Sequence, residues 1–207
     1  MTRIIATLLL VGTTAAPALA QSPSPGFVRG FGGVSFVTET GGVVGVTLGA
    51  RLTETLDVIG DVGHLTNMLP DTIQRDLDAA AREMGAFYGA PLTIDLKAPG
   101  VYGLGGLRAS WTTVHGMKLF IEAGAGVARG TSDLTARAAG ADVSREITAT
   151  LQLKHSVTEP LVMAGGGVGI PLSGRVTLDL GYRFMRIFTD APRIDTGTMT
   201  AGFSWGF

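Results

Sequence analysis

Thr196-Gly197-Thr198-Met199-Thr200-Ala201-Gly202-Phe203-Ser204-Trp205-Gly206-Phe207 alternates apolar with small or polar residues to its last position. Successive side chains of an extended strand point to opposite faces. Met199, Ala201, Phe203, Trp205 and Phe207 therefore share one greasy face, and Thr198, Thr200, Gly202, Ser204 and Gly206 share the other. The segment before it repeats the pattern, with Val176, Leu178, Leu180, Tyr182 and Phe184 against Thr177, Asp179, Gly181, Arg183 and Met185. A strand in a soluble sandwich also alternates, but its polar side faces water and carries long charged residues freely. Here the polar sides hold glycine, serine and threonine with isolated charges, as expected where side chains crowd the inside of a narrow barrel.

The same period marks eight strands, at Gly26–Val37, Val43–Leu52, Leu56–Leu65, Val101–Trp111, Met117–Arg129, Leu161–Leu172, Val176–Phe188 and Thr196–Phe207. A tilted strand crosses a bilayer in ~9–11 residues, and eight strands is the smallest usual membrane barrel. The connections Thr53–Thr55, Thr112–Gly116 and Ser173–Arg175 are tight, whereas those after Leu65, Arg129 and Phe188 are longer. With both termini in the periplasm, the tight turns fall there and the long loops outside, an asymmetry typical of transmembrane barrels. The long loops lie near residues 66–100 and 130–158. In the first, Leu69, Ile73, Leu77, Ala80 and Met84 recur at helical spacing, with Gly85 as the expected stop. After it, Leu92, Ile94, Leu96 and Ala98 alternate with Thr93, Asp95 and Lys97, so the fourth strand is expected to begin above the bilayer. The second loop reads either as a hairpin turning near Gly140 or as a helix around Ala141–Leu151.

Composition agrees with this reading. The 207 residues are 45% hydrophobic and 16% charged, with 31 glycines and no cysteine. That excludes a disordered chain, a disulfide scaffold and thiolate chemistry. Sixteen basic residues against 17 acidic ones leave no basic footprint for nucleic acid. Mean hydropathy is +0.35, yet no run after Gln21 reads as a spanning helix, so the hydrophobicity is carried by alternation. At the start, Arg3, the apolar run Ile4–Val11 and Ala18-Leu19-Ala20 form the charged, apolar and small-x-small regions of a secretory signal. Residues 1–20 are expected to be removed, leaving 21–207 as one barrel domain.

Three segments carry a family resemblance: Gly165-Gly166-Gly167-Val168-Gly169-Ile170-Pro171-Leu172, Leu180-Gly181-Tyr182-Arg183-Phe184, and Phe203-Ser204-Trp205-Gly206-Phe207. The chain resembles the small eight-stranded outer-membrane β-barrels of Gram-negative bacteria, the opacity-protein and OmpA/OmpX-type family. The resemblance implies an all-β, antiparallel up-and-down transmembrane barrel in the cell outer membrane. It also implies that Phe203, Trp205 and Phe207 form the terminal signal read by the barrel-assembly machinery. A peptidoglycan-binding extension is not expected. The family includes adhesins, structural barrels, small pores and a few lipid-modifying enzymes, so fold does not settle activity.

With the greasy face outward, Arg29, Arg51, Asp57, Asp61, Arg108, Lys118, Glu122, Asp179 and Arg183 fall inside. Unpaired charges in so narrow a space are costly, and the near-balance of signs implies mutual pairing in a network that fills the lumen. Trp111 with Trp205 and Phe207 is expected at the periplasmic interface, and Tyr102 and Phe188 at the outer one. A parity change around Gly105-Gly106 is expected to mark a bulge. Arg186 shares the outward parity of Tyr182 and Phe184 near the top of its strand, where it would meet lipopolysaccharide phosphates or act as a solvated loop charge.

The histidines are His64, His115 and His155. None stands in a pattern that places it with a serine and an acid, so no enzyme is expected. Gly103-Leu104-Gly105-Gly106 and Gly165–Gly169 do not match a phosphate-binding loop, and no cofactor or metal is expected. The expected role is a structural or surface-interaction protein of the envelope, monomeric, whose partners are outer-membrane lipid and lipopolysaccharide. A narrow passive channel ranks second and an outer-leaflet lipid-modifying enzyme third. A soluble periplasmic sandwich or lipocalin-like carrier is the alternative of different fold.

Overall fold

The computed structural model describes residues 26–37, 39–68, 71–89, 91–131, 133–138, 141–144, 156–189 and 194–207. The segment read as a signal, residues 1–20, and His155 lie outside them. Eight strands form a closed antiparallel barrel: β1 (Gly26–Val37), β2 (Glu39–Arg51), β3 (Leu56–Leu65), β5 (Gly100–Thr112), β6 (Lys118–Thr131), β9 (Ser156–Pro171), β10 (Val176–Ile187) and β11 (Ile194–Gly206). Each pairs with its sequence neighbour in the wall, and β1 closes on β11 with Phe27 opposite Gly206 and Phe36 opposite Gly197. All eight expected strands are present. Closure leaves no unpaired edge, the condition for placing strands in hydrocarbon.

The outer wall is apolar on every strand. Leu48, Val62, Ile121, Met199 and Phe203 are between 57% and 61% exposed, among many other large apolar residues. Water tolerates no such continuous apolar surface on a monomer, whereas lipid solvates it.

At one end the strands are joined by short turns at 52–55, 113–117 and 172–175. Thr53 stiffens the first, its Oγ1 accepting from Leu56 N at 3.1 Å, and Gly116 takes φ +78° in the second. At the other end β1 and β2 meet with Val37 opposite Glu39, while the three remaining connections are longer. Two of these build a unit beyond the barrel. β4 (Leu92–Lys97) and β7 (Asp133–Ala138) prolong the β5–β6 pairing in unchanged register, Lys97 opposite Asp133 above Gly100 opposite Gly130. Pro99, which has no N–H, stands where the ladder is interrupted. The fourth wall strand thus does continue outward, as expected.

Strand β8 (Ala141–Asp142) folds back on β7, the hairpin option for that loop. The helical option falls mostly on residues outside those described. Helix α1 (Asp71–Tyr88) lays Leu77, Ala81 and Met84 on Ile94 and Ala136 of this sheet, giving the unit a small core of its own. The helix runs through Gly85, the expected stop, and ends at Gly89. There φ of +66° supplies the left-handed residue that ends a helix at little steric cost.

Candidate functional site

The lumen is where the strands bring chemistry together. Seven of the nine expected inward charges are buried: Arg29, Asp57, Asp61, Arg108, Glu122, Asp179 and Arg183. Register explains their meeting. Arg51 stands opposite Asp57, Asp57 opposite Arg108, Arg108 opposite Glu122, Glu122 opposite Gly165 and Gly165 opposite Arg183. One row of paired positions therefore carries alternating charges from β2 to β10, and within it only β9 lacks a side chain. A Cβ on Gly165 would lie 3.0 Å from Arg183 Cγ. Its absence lets Arg183 reach over β9 to Glu122, with Nε donating to Oε1 at 2.6 Å.

A second row, Arg29, Thr47 and Asp61 on β1, β2 and β3, joins the first. Arg29 Nη2 donates to Glu122 Oε2 at 3.1 Å and to Thr47 Oγ1 at 3.0 Å. Thr47 Oγ1 donates to Asp61 Oδ2 at 2.5 Å, which also accepts from Arg183 Nη2 at 2.9 Å. Arg108 donates through both terminal nitrogens to Asp179 Oδ2, at 3.4 and 3.3 Å, and Ser204 Oγ donates to the same oxygen at 2.6 Å. Three buried arginines thus face three of the four buried carboxylates, and the fourth, Asp57, pairs with Arg51, which removes most of the cost of an isolated charge away from water. Aromatic rings complete the packing. The Arg108 guanidinium lies 3.8 Å from the Phe120 ring centroid, and that of Arg183 lies 4.4 Å from Phe31.

Arg51 and Lys118 are not in this layer. Arg51 reaches Asp57 through Nε at 3.4 Å with its side chain 38% exposed. Lys118 is exposed at the tight-turn mouth. Sequence reading did not single out Phe31, Phe120 or Thr47 as lumen residues. Phe120 had a signal, since it shares the parity of Lys118 and Glu122.

Toward the other end the lumen turns apolar. Val43, Leu65, Tyr102, Leu104, Leu161, Met163, Met185 and Ile187 are buried together there. Met68 enters this cluster from the loop after β3, its terminal atoms filling the space that a Cβ on Gly100 or Gly130 would need. The loop is tied in place by Met68 N donating to Ala98 O at 2.7 Å and Ala98 N donating to Asn67 Oδ1 at 3.1 Å. Nothing in the sequence around Met68 announces this plug.

Tyr102 belongs to this inner layer and not to the outer girdle expected of it, being 5% exposed. The reason is that no bulge interrupts β5. Its register runs unbroken from Leu65 opposite Gly100 to Leu56 opposite Ala109, so Tyr102 and Leu104 share the inward parity of Arg108. Gly63, opposite Tyr102, makes room, because a Cβ there would lie 2.6 Å from the ring.

The other expected interfacial residues face outward. Trp111 and Phe188 are exposed at opposite ends of the wall, as are Trp205 and Phe207 at the tight-turn end. Arg186 also faces outward but has a protein partner. Its Nε and Nη2 donate to Asp195 Oδ1 and Oδ2, both at 2.7 Å, across the register position the two residues share. His64 and His115 are exposed, on opposite ends of the barrel.

An apolar outer wall, a charge-balanced lumen and a closed strand order define a transmembrane β-barrel. The sequence matches the outer membrane protein beta-barrel domain over residues 6–207, and the chain belongs to that family. In fold it is similar to Neisserial surface protein A (NspA), at 17% identity and a TM-score of 0.53 over 90% of this chain and 98% of that one. It is also similar to the N-terminal β-barrel domain of Pseudomonas aeruginosa OprF, at 10% identity and a TM-score of 0.51 over 88% of this chain and 97% of that one. No curated protein sequence matches the chain.

Proposed function

We propose that this outer-membrane barrel is a structural and surface-interaction protein whose business end is the unit of α1, β4, β7 and β8, and that its lumen conducts nothing. The observation that carries this reading is the pairing of a lumen packed at one end with apolar side chains around Met68 with long connections that possess a core of their own. Loops held on a rigid wall are where such a scaffold displays binding surface. In this reading residues 1–20 are a cleaved signal, residues 21–207 form the mature domain, and the tight turns face the periplasm. Phe203, Trp205 and Phe207 then serve the barrel-assembly machinery. Arg186, whose Nη1 takes no part in the bond to Asp195, meets lipopolysaccharide phosphate at the outer interface.

Two measurements test it. The purified barrel in planar bilayers should be electrically silent, and trypsin added to intact cells should cut in the outer unit, at Arg75, Arg82 or Arg137, while leaving the wall whole. Steady single-channel conductance would replace this reading with a passive pore. Cleavage only after the outer membrane is opened would reverse the orientation.

A further inference from the structure

We propose that the mouth of the barrel at the tight-turn end is a binding site for a phosphate-type oxyanion. The mouth is a concave space of about 710 Å³ whose lining includes Arg51, Asp57, Arg108, Lys118, Arg175 and Asp179. Four cations against two side-chain carboxylates and the terminal carboxylate of Phe207, which also lines the mouth, leave a net charge of +1, in a chain whose 16 basic and 17 acidic residues nearly cancel.

Each of the two side-chain carboxylates already holds an arginine. Asp179 Oδ2 is taken by Arg108 and Ser204, and Asp57 is held by Arg51 through Nε alone. Lys118 and Arg175 make no ion pair and no side-chain hydrogen bond among the described residues. The balance that neutralises the buried layer therefore stops short of this mouth and leaves two unspent cations facing the same cavity.

The register partner of Lys118 is Gly169, where a Cβ would lie 2.9 Å from both Asp179 Oδ1 and Thr177 Cγ2. The bare glycine leaves that space to the Asp179 carboxylate and the Thr177 methyl, which line the wall beside the lysine. A concave site with an excess of one sign concentrates potential. Arginine and lysine together bind phosphate through charge-assisted hydrogen bonds, and the volume lies in the ~300–1,000 Å³ range of small-molecule sites. The anion has two possible sources: a soluble phosphate compound, or the phosphate of a phospholipid headgroup folding in over the rim at Arg175.

The test uses the folded barrel in nanodiscs of phosphatidylcholine, open to solvent at both ends, so its outcome does not depend on the orientation or role proposed above. Inorganic phosphate is titrated while the amide resonances of Lys118, Gly169 and Ser204 are followed. Saturable shifts are expected, weakened by added salt and weakened about five- to tenfold in Lys118→Gln/Arg175→Gln. Neither substituted residue belongs to the buried network, and retained heat-dependent gel mobility shows that the variant is folded. Shifts that do not saturate, or that the double variant leaves unchanged, overturn the proposal. With the site established, a headgroup spin-labelled phospholipid assigns the source. Broadening at Gly169 inside the mouth points to a headgroup, and broadening confined to the outer wall points to a soluble anion.

Discussion

Arg183 and Glu122 are 61 residues apart in the chain and meet at 2.6 Å over the backbone of Gly165. The contact unites β6 and β10 across the strand between them. It ties the charge layer to three consecutive staves of the wall.

Glu122→Ala should be among the most damaging single changes in the lumen. It leaves Arg29 and Arg183 each without their nearest carboxylate oxygens. Breaking a buried pair on one side costs about 3–5 kcal/mol, and the urea midpoint of the barrel in lipid measures it. Combining Glu122→Leu with Arg183→Met should recover part of the loss, because one charge of each sign is removed together and the remaining Arg29 and Asp61 still face each other at 3.9 Å.

Gly105 and Gly106 are neighbours with opposite tolerance. A Cβ on Gly105 meets nothing within 4 Å, whereas one on Gly106 collides with Ala123 O of β6. Gly105→Ala should be neutral or slightly stabilising, since it also removes backbone freedom from the unfolded chain. Gly106→Ala should lower the midpoint clearly. Placing a charge on the wall is harsher still. Leu180→Arg, near the middle of β10, should cost about 2–4 kcal/mol and reduce the assembled fraction recovered from the outer membrane.

Met68→Ala removes the side chain that fills the outer end of the lumen between Gly100 and Gly130. A buried methionine truncated in this way costs about 2–5 kcal/mol if the site cannot collapse. Because Met68 sits on a loop, the expected effect is local. Amide exchange at residues 66–68, Ala98 and Gly100 should accelerate, with the rest of the wall unchanged.

In the outer unit, Asp142 accepts from Ser144 Oγ at 2.5 Å and from Ser144 N at 3.0 Å. These bonds, the side-chain one foremost, hold its carboxyl below the usual carboxylate range. A depressed carboxyl stabilises the fold above its unfolded value, and that contribution is lost as pH falls through the folded one. Local order at β8 should therefore persist at neutral pH and loosen on strong acidification. Ser144→Ala should move the Asp142 titration, followed by carboxyl NMR, upward toward the ordinary range.

Much of the wall was legible because a period of two leaves little freedom. The ends of β1 and β3 fall where alternation and turn residues place them, and the inward charges follow once the greasy face is turned to lipid. Tyr102 was misplaced because Gly103, Gly105 and Gly106 carry no side chain by which to judge a face, and an invented bulge filled the gap. Counting back by twos from Arg108 would have sufficed. Which charge meets which was not legible, since partners such as Arg29 and Glu122 lie 93 residues apart and depend on the stagger of a closed wall. Met68 was invisible for a related reason: loop residues obey no period.

The Met68 closure also bears on how the cell can use such a protein. In the orientation proposed above, a solute arriving at the outer end meets the packed apolar side chains around Met68, so each added copy would display loop surface without adding a pore. On that reading the abundance of the barrel is uncoupled from leakage across the membrane.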